Sequence, residues 1–398
     1  LKKFQKKILF LIGEDHYFMS HRFELAQSFQ RAGFSVAIAT RCNTHQKTIE
    51  AAGIQVFPLQ HLRRGHQSLR QSLQALYELF KIYKEYEPDV AFHVAIKPLV
   101  FGTSIAFLAR VPRVINALGG LGHLFTPSSA QASISRLQRW KQAFFRQVFS
   151  RCVRLLLWLT PSTLVLQNED DKATLISAGC LPLKPKPDKV VIILGCGINP
   201  LDYPVTPFPP APPINIVCVS RMLWDKGIGE LVEAAKQCHV HKLPVNIILY
   251  GTPDLQNPAT ISEEQLQQWH DAGIIEWRGF CDSVATAYAD SHIAVLPSYR
   301  EGLPKSLLEA ASCGRPIIAT DVPGCRSIVT HEVNGLLIRP KDSQSLFEAI
   351  RHLAQSPELR EKFGKSGHAR IEKDFLPQKI HTQFIGLLKR TFNSGIKA

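Results

Sequence analysis

Apolar residues along this chain gather in short unbroken runs and do not alternate with polar ones. KILFLIG, SVAIAT, IQVFPL, DVAFHV, RVINAL, TLVLQN and VVIILG come first, and NIVCVS, VNIILYG, IIEWRG, IAVLPS, PIIATD and GLLIR follow. Segments of helix length separate most of them. A strand covered on both faces needs no polar positions, so the rhythm predicts repeated βα units and parallel sheets. Two sheets are implied, because the two sets of runs are parted by NPLDYPVTPFPPAPP, Asn199 to Pro213, where proline density forbids a regular element. The expected organisation is an α/β chain with a first domain at 1–198, a Pro-rich linker at 199–213 and a second domain at 214–375. The tail, 376–398, carries a helix from about Pro377 to Lys389 that the pattern assigns to neither domain.

The N-terminus, LKKFQKKILFLIGEDHYF, has the lysines of a signal peptide, but its apolar run from Ile8 to Ile12 is short and Glu14 and Asp15 follow at once. It reads as a first buried strand. No stretch reaches the roughly 18 consecutive apolar residues of a membrane span, and CVRLLLWL, from Cys152, is broken by Arg154.

Charge adds an asymmetry. The 398 residues carry a net +14, with 22 Lys/Arg against 8 Asp/Glu in residues 1–168 and 25 of each in 169–398. Between Val90 and Asn168 there are nine basic residues and no acid. Such a surface attracts polyanions (nucleic acid, anionic lipid or pyrophosphate-linked substrates), and a merely solvated basic face stays open as the alternative. In RLQRWKQAFFRQVFSRCVRLLLW, basic residues recur every two to five positions among aromatics, as in an interfacial amphipathic helix. The competing reading packs those aromatics on the core. Nine cysteines, scattered singly, read as buried thiols in a reducing compartment.

The most informative segment is LPSYREGLPKSLLEAASCGRPIIATDVPGC, Leu296 to Cys325. A strand ends near Pro297, a loop carries Glu301 and Gly302, and Pro304 opens a helix to about Ser312. Glu301 then lies at the carboxyl end of a parallel strand, where open α/β sheets bind ligands, and Glu309 lies within the helix. Backbone N–H groups around Gly302 to Ser306 suit an anion or sugar hydroxyls. By spacing alone, a loop acid and a surface helix acid remain equally good readings. In VCVSRMLWDKGIGELVEAA, Arg221 and Lys226 sit five apart in the loop after a strand, and two cations beside a helix N-terminus can clamp a diphosphate. Pairs of this kind in βα loops are mostly solvated.

Taken together, EGLPKSLLE with its glutamates eight apart, the preceding PSY, the following CGRPIIATDVPGC and the upstream SRMLWDKG resemble glycosyltransferase family 4, retaining enzymes of the GT-B fold. FHVAIKPLVFGTSIAFLARVPRVINALGGLGHLF resembles the acceptor-domain core of bacterial transferases acting on undecaprenyl-diphosphate-linked glycans, N-acetylgalactosaminyltransferases among them. The resemblance implies two Rossmann-like parallel-sheet domains facing across a cleft. It implies a hexosyltransferase taking a nucleoside-diphosphate sugar, UDP-linked, to a polyprenyl-diphosphate-linked glycan in envelope polysaccharide synthesis. The enzyme would be cytoplasmic and peripheral at an anionic membrane surface, with no nucleic acid as partner. Carried over by position, Arg221 and Lys226 hold the donor diphosphate, Glu309 accepts the ribose hydroxyls, and Glu301 contacts the sugar beside the Gly302 and Leu303 amides. Gly251 lets the chain pass close to the ligand, and the loop at Gly279 borders the base. The family often has a histidine just after the fifth strand; here Asn116-Ala117-Leu118-Gly119-Gly120 stands there, with His123 displaced. Asp15, His21, Lys97 and His123 are the candidates for acceptor handling.

Other classes fit less well. No G-x-G-x-x-G follows a strand, which disfavours a nicotinamide or flavin oxidoreductase. The GKS at Gly364 lacks the earlier glycine of a phosphate loop, since Leu359 occupies that place. No D-x-D and no His/Cys/Asp/Glu cluster has ligand spacing, so neither metal nor cofactor is expected, and the diphosphate charge falls to Arg221, Lys226 and helix dipoles. A transferase with a soluble acceptor and a non-catalytic nucleotide-sugar-binding protein of the same fold are the alternatives.

Overall fold

The computed structural model describes residues 5–63, 68–121, 136–255 and 257–393, with the backbone alone for 136–146 and 393. Two compact units emerge: Leu1–Cys196 with Ile380–Ala398, and Gly197–Lys379. Each is built on a parallel sheet, as the runs predict. No helix among the described residues is long and apolar enough to cross a membrane.

The first sheet has β1 (Lys7–Glu14), β2 (Ser35–Arg41), β3 (Gln55–Pro58), β4 (Val90–Val94), β5 (Arg113–Ala117), β6 (Ser162–Leu166) and β7 (Val190–Ile192), in spatial order 3-2-1-4-5-6-7. β4 and β6 are buried at every position, because both faces are covered. Ile8, Phe10 and Phe92 pack on one side with Phe18 and Phe29, while Leu9, Leu11 and Ala91 pack on the other with Leu79 and Tyr83. Chain order reverses between β1 and β4, so the loops leaving these strands part to opposite faces and open a crevice at their carboxyl ends. The final helix, Pro377–Asn393, joins this core: Phe384 lies 5.6 Å from the Phe92 ring, with Ile380, Leu387 and Leu388 beside it.

The second sheet has β8 (Ile214–Val219), β9 (Val245–Tyr250), β10 (Glu276–Trp277), β11 (Ile293–Leu296), β12 (Ile317–Thr320) and β13 (Gly335–Ile338), in order 10-9-8-11-12-13. Its reversal falls between β8 and β11. The loops bearing Arg221, Lys226 and Glu301 therefore flank one crevice, although some 75 residues separate them in sequence.

The segment between β7 and β8 is docked on the second unit. Arg315, 1% exposed, sends Nε to the Tyr288 carbonyl at 2.8 Å, bonds the Thr206 hydroxyl and the Pro207 carbonyl, and lies 4.8 Å from the Phe208 ring. A buried guanidinium needs such partners, and it ties these residues to helix ends of the unit.

Five of the nine cysteines, Cys180, Cys218, Cys238, Cys313 and Cys325, are buried and all nine are free. Cys152 is exposed, against the expectation of buried thiols, because it lies on the outer side of the helix Arg136–Leu159.

Candidate functional site at the carboxyl edge of the second sheet

The loop after β8 runs through a 3-10 turn, Trp224–Lys226, to Gly227, which caps the helix Ile228–Val240 in the left-handed region at φ 72°. A Cβ at Gly227 would lie 2.1 Å from the Pro297 carbonyl oxygen, so only glycine lets this turn press against the chain leaving β11. The Tyr299 amide donates to the Asp225 carbonyl at 2.9 Å and joins the two loops. Across that contact the Lys226 ammonium pairs with the Glu301 carboxylate, with side chains 20% and 11% exposed.

Arg221 pairs with Asp254 at 2.5 Å. Asp254 belongs to the loop after β9, which is stitched to the loop after β8: the Met222 amide donates to the Thr252 carbonyl at 3.1 Å and Trp224 to Ala259 at 2.8 Å. Gly251 opens that loop at φ 140°, and a Cβ there would sit 1.8 Å from the Ser220 carbonyl oxygen. Its amide donates to the Gly279 carbonyl at 2.6 Å, which brings in the loop after β10, where Phe280 stands 72% exposed.

Glu301 and Gly302 are braced from behind by Gly324, whose amide donates to the Glu301 carbonyl at 3.2 Å and whose Cβ would collide with it. Leu303 is half-buried beside them. Glu309, on the helix Lys305–Ser312, is 6% exposed. Its Oε1 accepts from the Tyr203 hydroxyl at 2.9 Å and lies 3.5 Å from the Lys305 ammonium. The assembly thus offers three cations, Arg221, Lys226 and Lys305, three carboxylates, Asp254, Glu301 and Glu309, and closely approached backbone along one sheet edge. That set can neutralise a diphosphate and accept hydroxyl protons. Among the described residues no group of three or more His, Cys, Asp or Glu side chains is placed to hold a metal ion.

In the first unit, Asp15 is fully buried, and its carboxylate accepts the amides of Asn43, Thr44 and His45 at 2.8, 3.0 and 2.9 Å and that of His16 at 2.8 Å. Burial alone would raise its pKa; the four amide bonds outweigh this and hold it below the ordinary value. It anchors the turn after β2. His21 shares a 2.7 Å bond with the Ser20 hydroxyl and stacks on Tyr17 at 4.2 Å. Lys97 donates to the Arg63 carbonyl at 2.5 Å, and burial lowers its pKa. His123 lies outside the described residues. The four candidates are thus not shown to meet in one place.

A family profile described as "Glycosyl transferases group 1" matches residues 213–356, and one described as "Glycosyl transferase 4-like" matches residues 7–151. The chain is a glycosyltransferase of this group. Among its relatives is the Campylobacter jejuni N,N'-diacetylbacillosaminyl-diphospho-undecaprenol alpha-1,3-N-acetylgalactosaminyltransferase, 26% identical over 74% of this chain and 75% of that one. The Escherichia coli UDP-Gal:alpha-D-GlcNAc-diphosphoundecaprenol alpha-1,3-galactosyltransferase is 23% identical over 71% and 70%. Anabaena HepE, solved with UDP and glucose, superposes with a TM-score of 0.74 at 20% identity, covering 97% of this chain and all of that one. The fold is the GT-B fold, and the activity is that of a hexosyltransferase.

Several residues of this glycosyltransferase escaped the sequence reading. Asp254 follows Pro253 in the loop opened by Gly251, and nothing in its spacing marks it as the partner of Arg221. Tyr203 sits among prolines and reads as linker. In the first unit a Cβ at Gly119 would meet the Tyr17 hydroxyl at 3.1 Å and the Gln167 amide nitrogen at 3.7 Å. Tyr17, Gly119 and Gln167 thus converge beyond β1, β5 and β6. Gln167 is buried, and its Oε1 has no partner among the described residues.

Proposed function

We propose that this glycosyltransferase moves a sugar from a UDP-sugar to a polyprenyl-diphosphate-linked glycan at an anionic membrane surface, with retention and without a metal ion. The observation that carries the donor half is the convergence of Arg221, Lys226 and Glu301 at the β8/β11 crevice, with Glu309 on the helix that follows. In this reading Arg221 and Lys226 neutralise the diphosphate as the sugar–oxygen bond breaks, Glu309 accepts the ribose hydroxyls, and Glu301 contacts the sugar beside the Gly302 and Leu303 amides. Charge placed before the reaction stabilises a leaving group without reorganising. Gly251 and Gly279 line the approach to the base. Support for UDP comes from the complexes of HepE and from the E. coli relative's donor; support for the acceptor comes from the undecaprenyl-linked acceptors named for both relatives.

The membrane half rests on the helix Arg136–Leu159. Val153 is buried and Phe149 and Leu157 pack on the core, as the competing reading required. The outer side, however, exposes Val148, Leu155, Trp158 (78%) and Leu159, with Arg151 and Arg154 exposed among them. Apolar groups interleaved with arginines suit a headgroup layer. Of the acceptor candidates Asp15, His21, Lys97 and His123, Asp15 already accepts four backbone amides in holding the turn after β2.

The test is release of nucleoside diphosphate from UDP-, GDP- and ADP-sugars with a polyprenyl-diphosphate-linked glycan in vesicles, against a soluble sugar acceptor. Turnover only with a UDP-sugar and the lipid-linked acceptor is expected. Equal turnover on the soluble acceptor would overturn the acceptor assignment, and turnover with GDP- or ADP-sugars alone would overturn the donor.

A further inference from the structure

The segment Asn199–Pro213 reads in sequence as a passive linker, yet one of its side chains reaches the donor site. The Tyr203 hydroxyl donates to Oε1 of Glu309 at 2.9 Å, and the Lys305 ammonium lies 3.5 Å from the same oxygen. No described residue hydrogen-bonds Oε2 of Glu309. The carboxylate is therefore held by one oxygen and open at the other.

Tyr203 is itself fixed. Its backbone carbonyl accepts the Ser312 hydroxyl at 3.0 Å; Ser312 is fully buried and lies one helical turn beyond Glu309. Two residues on, Val205 packs 3.1 Å from where a Cβ of Gly314 would stand, and Arg315 holds Thr206 and Pro207. The helix bearing Glu309 thus holds both ends of the contact through Glu309 and Ser312. Burial foremost, and then the Glu309 charge, raise the Tyr203 pKa, so the hydroxyl keeps its proton and remains a donor.

We propose that Tyr203 is a positioning residue for donor recognition: it holds Oε1 of Glu309 so that Oε2 is aimed at the ribose hydroxyls, making the interdomain segment part of the nucleotide site. The proposal rests on the reading of Glu309 as the ribose acceptor. A carboxylate with one oxygen already bonded has fewer orientations to lose when ligand binds, so discrimination for the ribose depends on Tyr203 as well as on Glu309.

The experiment measures affinity for UDP, 2′-deoxy-UDP and 3′-deoxy-UDP in the full chain, for the wild type and for Glu309→Gln, Tyr203→Phe and Ser312→Ala. The wild type should prefer UDP over at least one deoxy nucleotide by about tenfold or more, as for a hydrogen bond to a charged group. Tyr203→Phe should lower that preference about fivefold through weaker UDP binding, with deoxy-nucleotide binding nearly unchanged. Donor KM should rise in step, with kcat at saturating donor within about twofold. Ser312→Ala, which frees the Tyr203 backbone and leaves the hydroxyl, should shift the ratio the same way by less; it carries the test if Tyr203→Phe does not fold. An undiminished preference in Tyr203→Phe, alongside a lost one in Glu309→Gln, overturns the role of Tyr203 alone. A wild type without preference, or one matched by Glu309→Gln, overturns the ribose reading of Glu309 and this inference with it.

Discussion

Lys226 and Glu301 form an ion pair across the β8/β11 crevice, joining two residues to which the sequence reading gave separate tasks. The pairing places the ammonium, and under the proposed donor reading a diphosphate there would share Lys226 with an acid already present.

Arg221→Ala and Lys226→Ala should each slow turnover by about 10- to 150-fold, the equivalent of about 1.5–3 kcal/mol for a charge-assisted bond to the leaving diphosphate. Glu301→Gln should also lose turnover but bind UDP more tightly than the wild type, because it removes a negative charge beside the phosphates. Steady-state kinetics and UDP titration check both. Near-normal turnover in the two cation variants would remove the clamp, and weaker UDP binding in Glu301→Gln would show that the pair does not border the phosphates.

Activity should persist in excess chelator. Among the described residues no carboxylate or imidazole cluster is built to hold a divalent ion against the phosphates, and Arg221 and Lys226 can supply the positive charge. Complete loss on chelation, restored by magnesium or manganese, would contradict this.

Vesicle co-sedimentation should require anionic lipid and weaken as salt rises. Replacing Arg151 and Arg154 with glutamine removes about 1 kcal/mol each at a charged surface, so binding should fall about 30-fold at low salt. Trp158→Ala should weaken binding at every salt concentration, since its contribution is apolar. Equal sedimentation of the wild type and these variants would sink the membrane reading and leave the donor site untouched.

Acid stability provides a separate check on the first unit. His93 is fully buried; the Tyr83 hydroxyl donates to its Nε2 at 2.8 Å, and its Nδ1–H donates to the Asn116 side-chain oxygen at 2.8 Å. Burial lowers its pKa from 6.5 to about 4, against the opposing pull of Asn116. The unfolded chain therefore takes up the proton first, so the stabilisation is complete above pH 6.5 and is lost as pH falls from 6.5 towards 4. That loss amounts to about 3 kcal/mol. His381, also lowered to about 4, chiefly by burial, titrates in the same window, so the contrast between wild type and His93→Gln isolates His93. Urea unfolding across pH 7 to 4 should show the variant less stable at pH 7 and with a shallower acid slope. Parallel curves would deny His93 this role.

Most of the fold is legible in the residues themselves. Among the described residues thirteen strands correspond one for one to the apolar runs, seven in the first sheet and six in the second, because a strand covered on both faces favours apolar residues at successive positions, with buried polar exceptions such as His93 and Asn116. The break at the prolines is equally local, since proline density excludes helix and strand wherever it occurs. Loop positions of Arg221, Lys226 and Glu301 follow from the same runs.

Other features depend on contacts between residues far apart in the chain, and no local pattern encodes those. The final helix could present its apolar stripe to any core; Phe384 lies against Phe92 because that face of the first sheet was left to cover. Asp254 meets Arg221 only once β8 and β9 are neighbours, and Lys226 meets Glu301 only because chain order reverses between β8 and β11. Tyr203 looks like any residue in a proline-rich stretch until buried Arg315 and Ser312 draw that stretch onto the second unit and bring its hydroxyl to Glu309. Burial patterns are written residue by residue and can be read in order, whereas a hydrogen bond between side chains 106 positions apart exists only after the backbone has closed the distance.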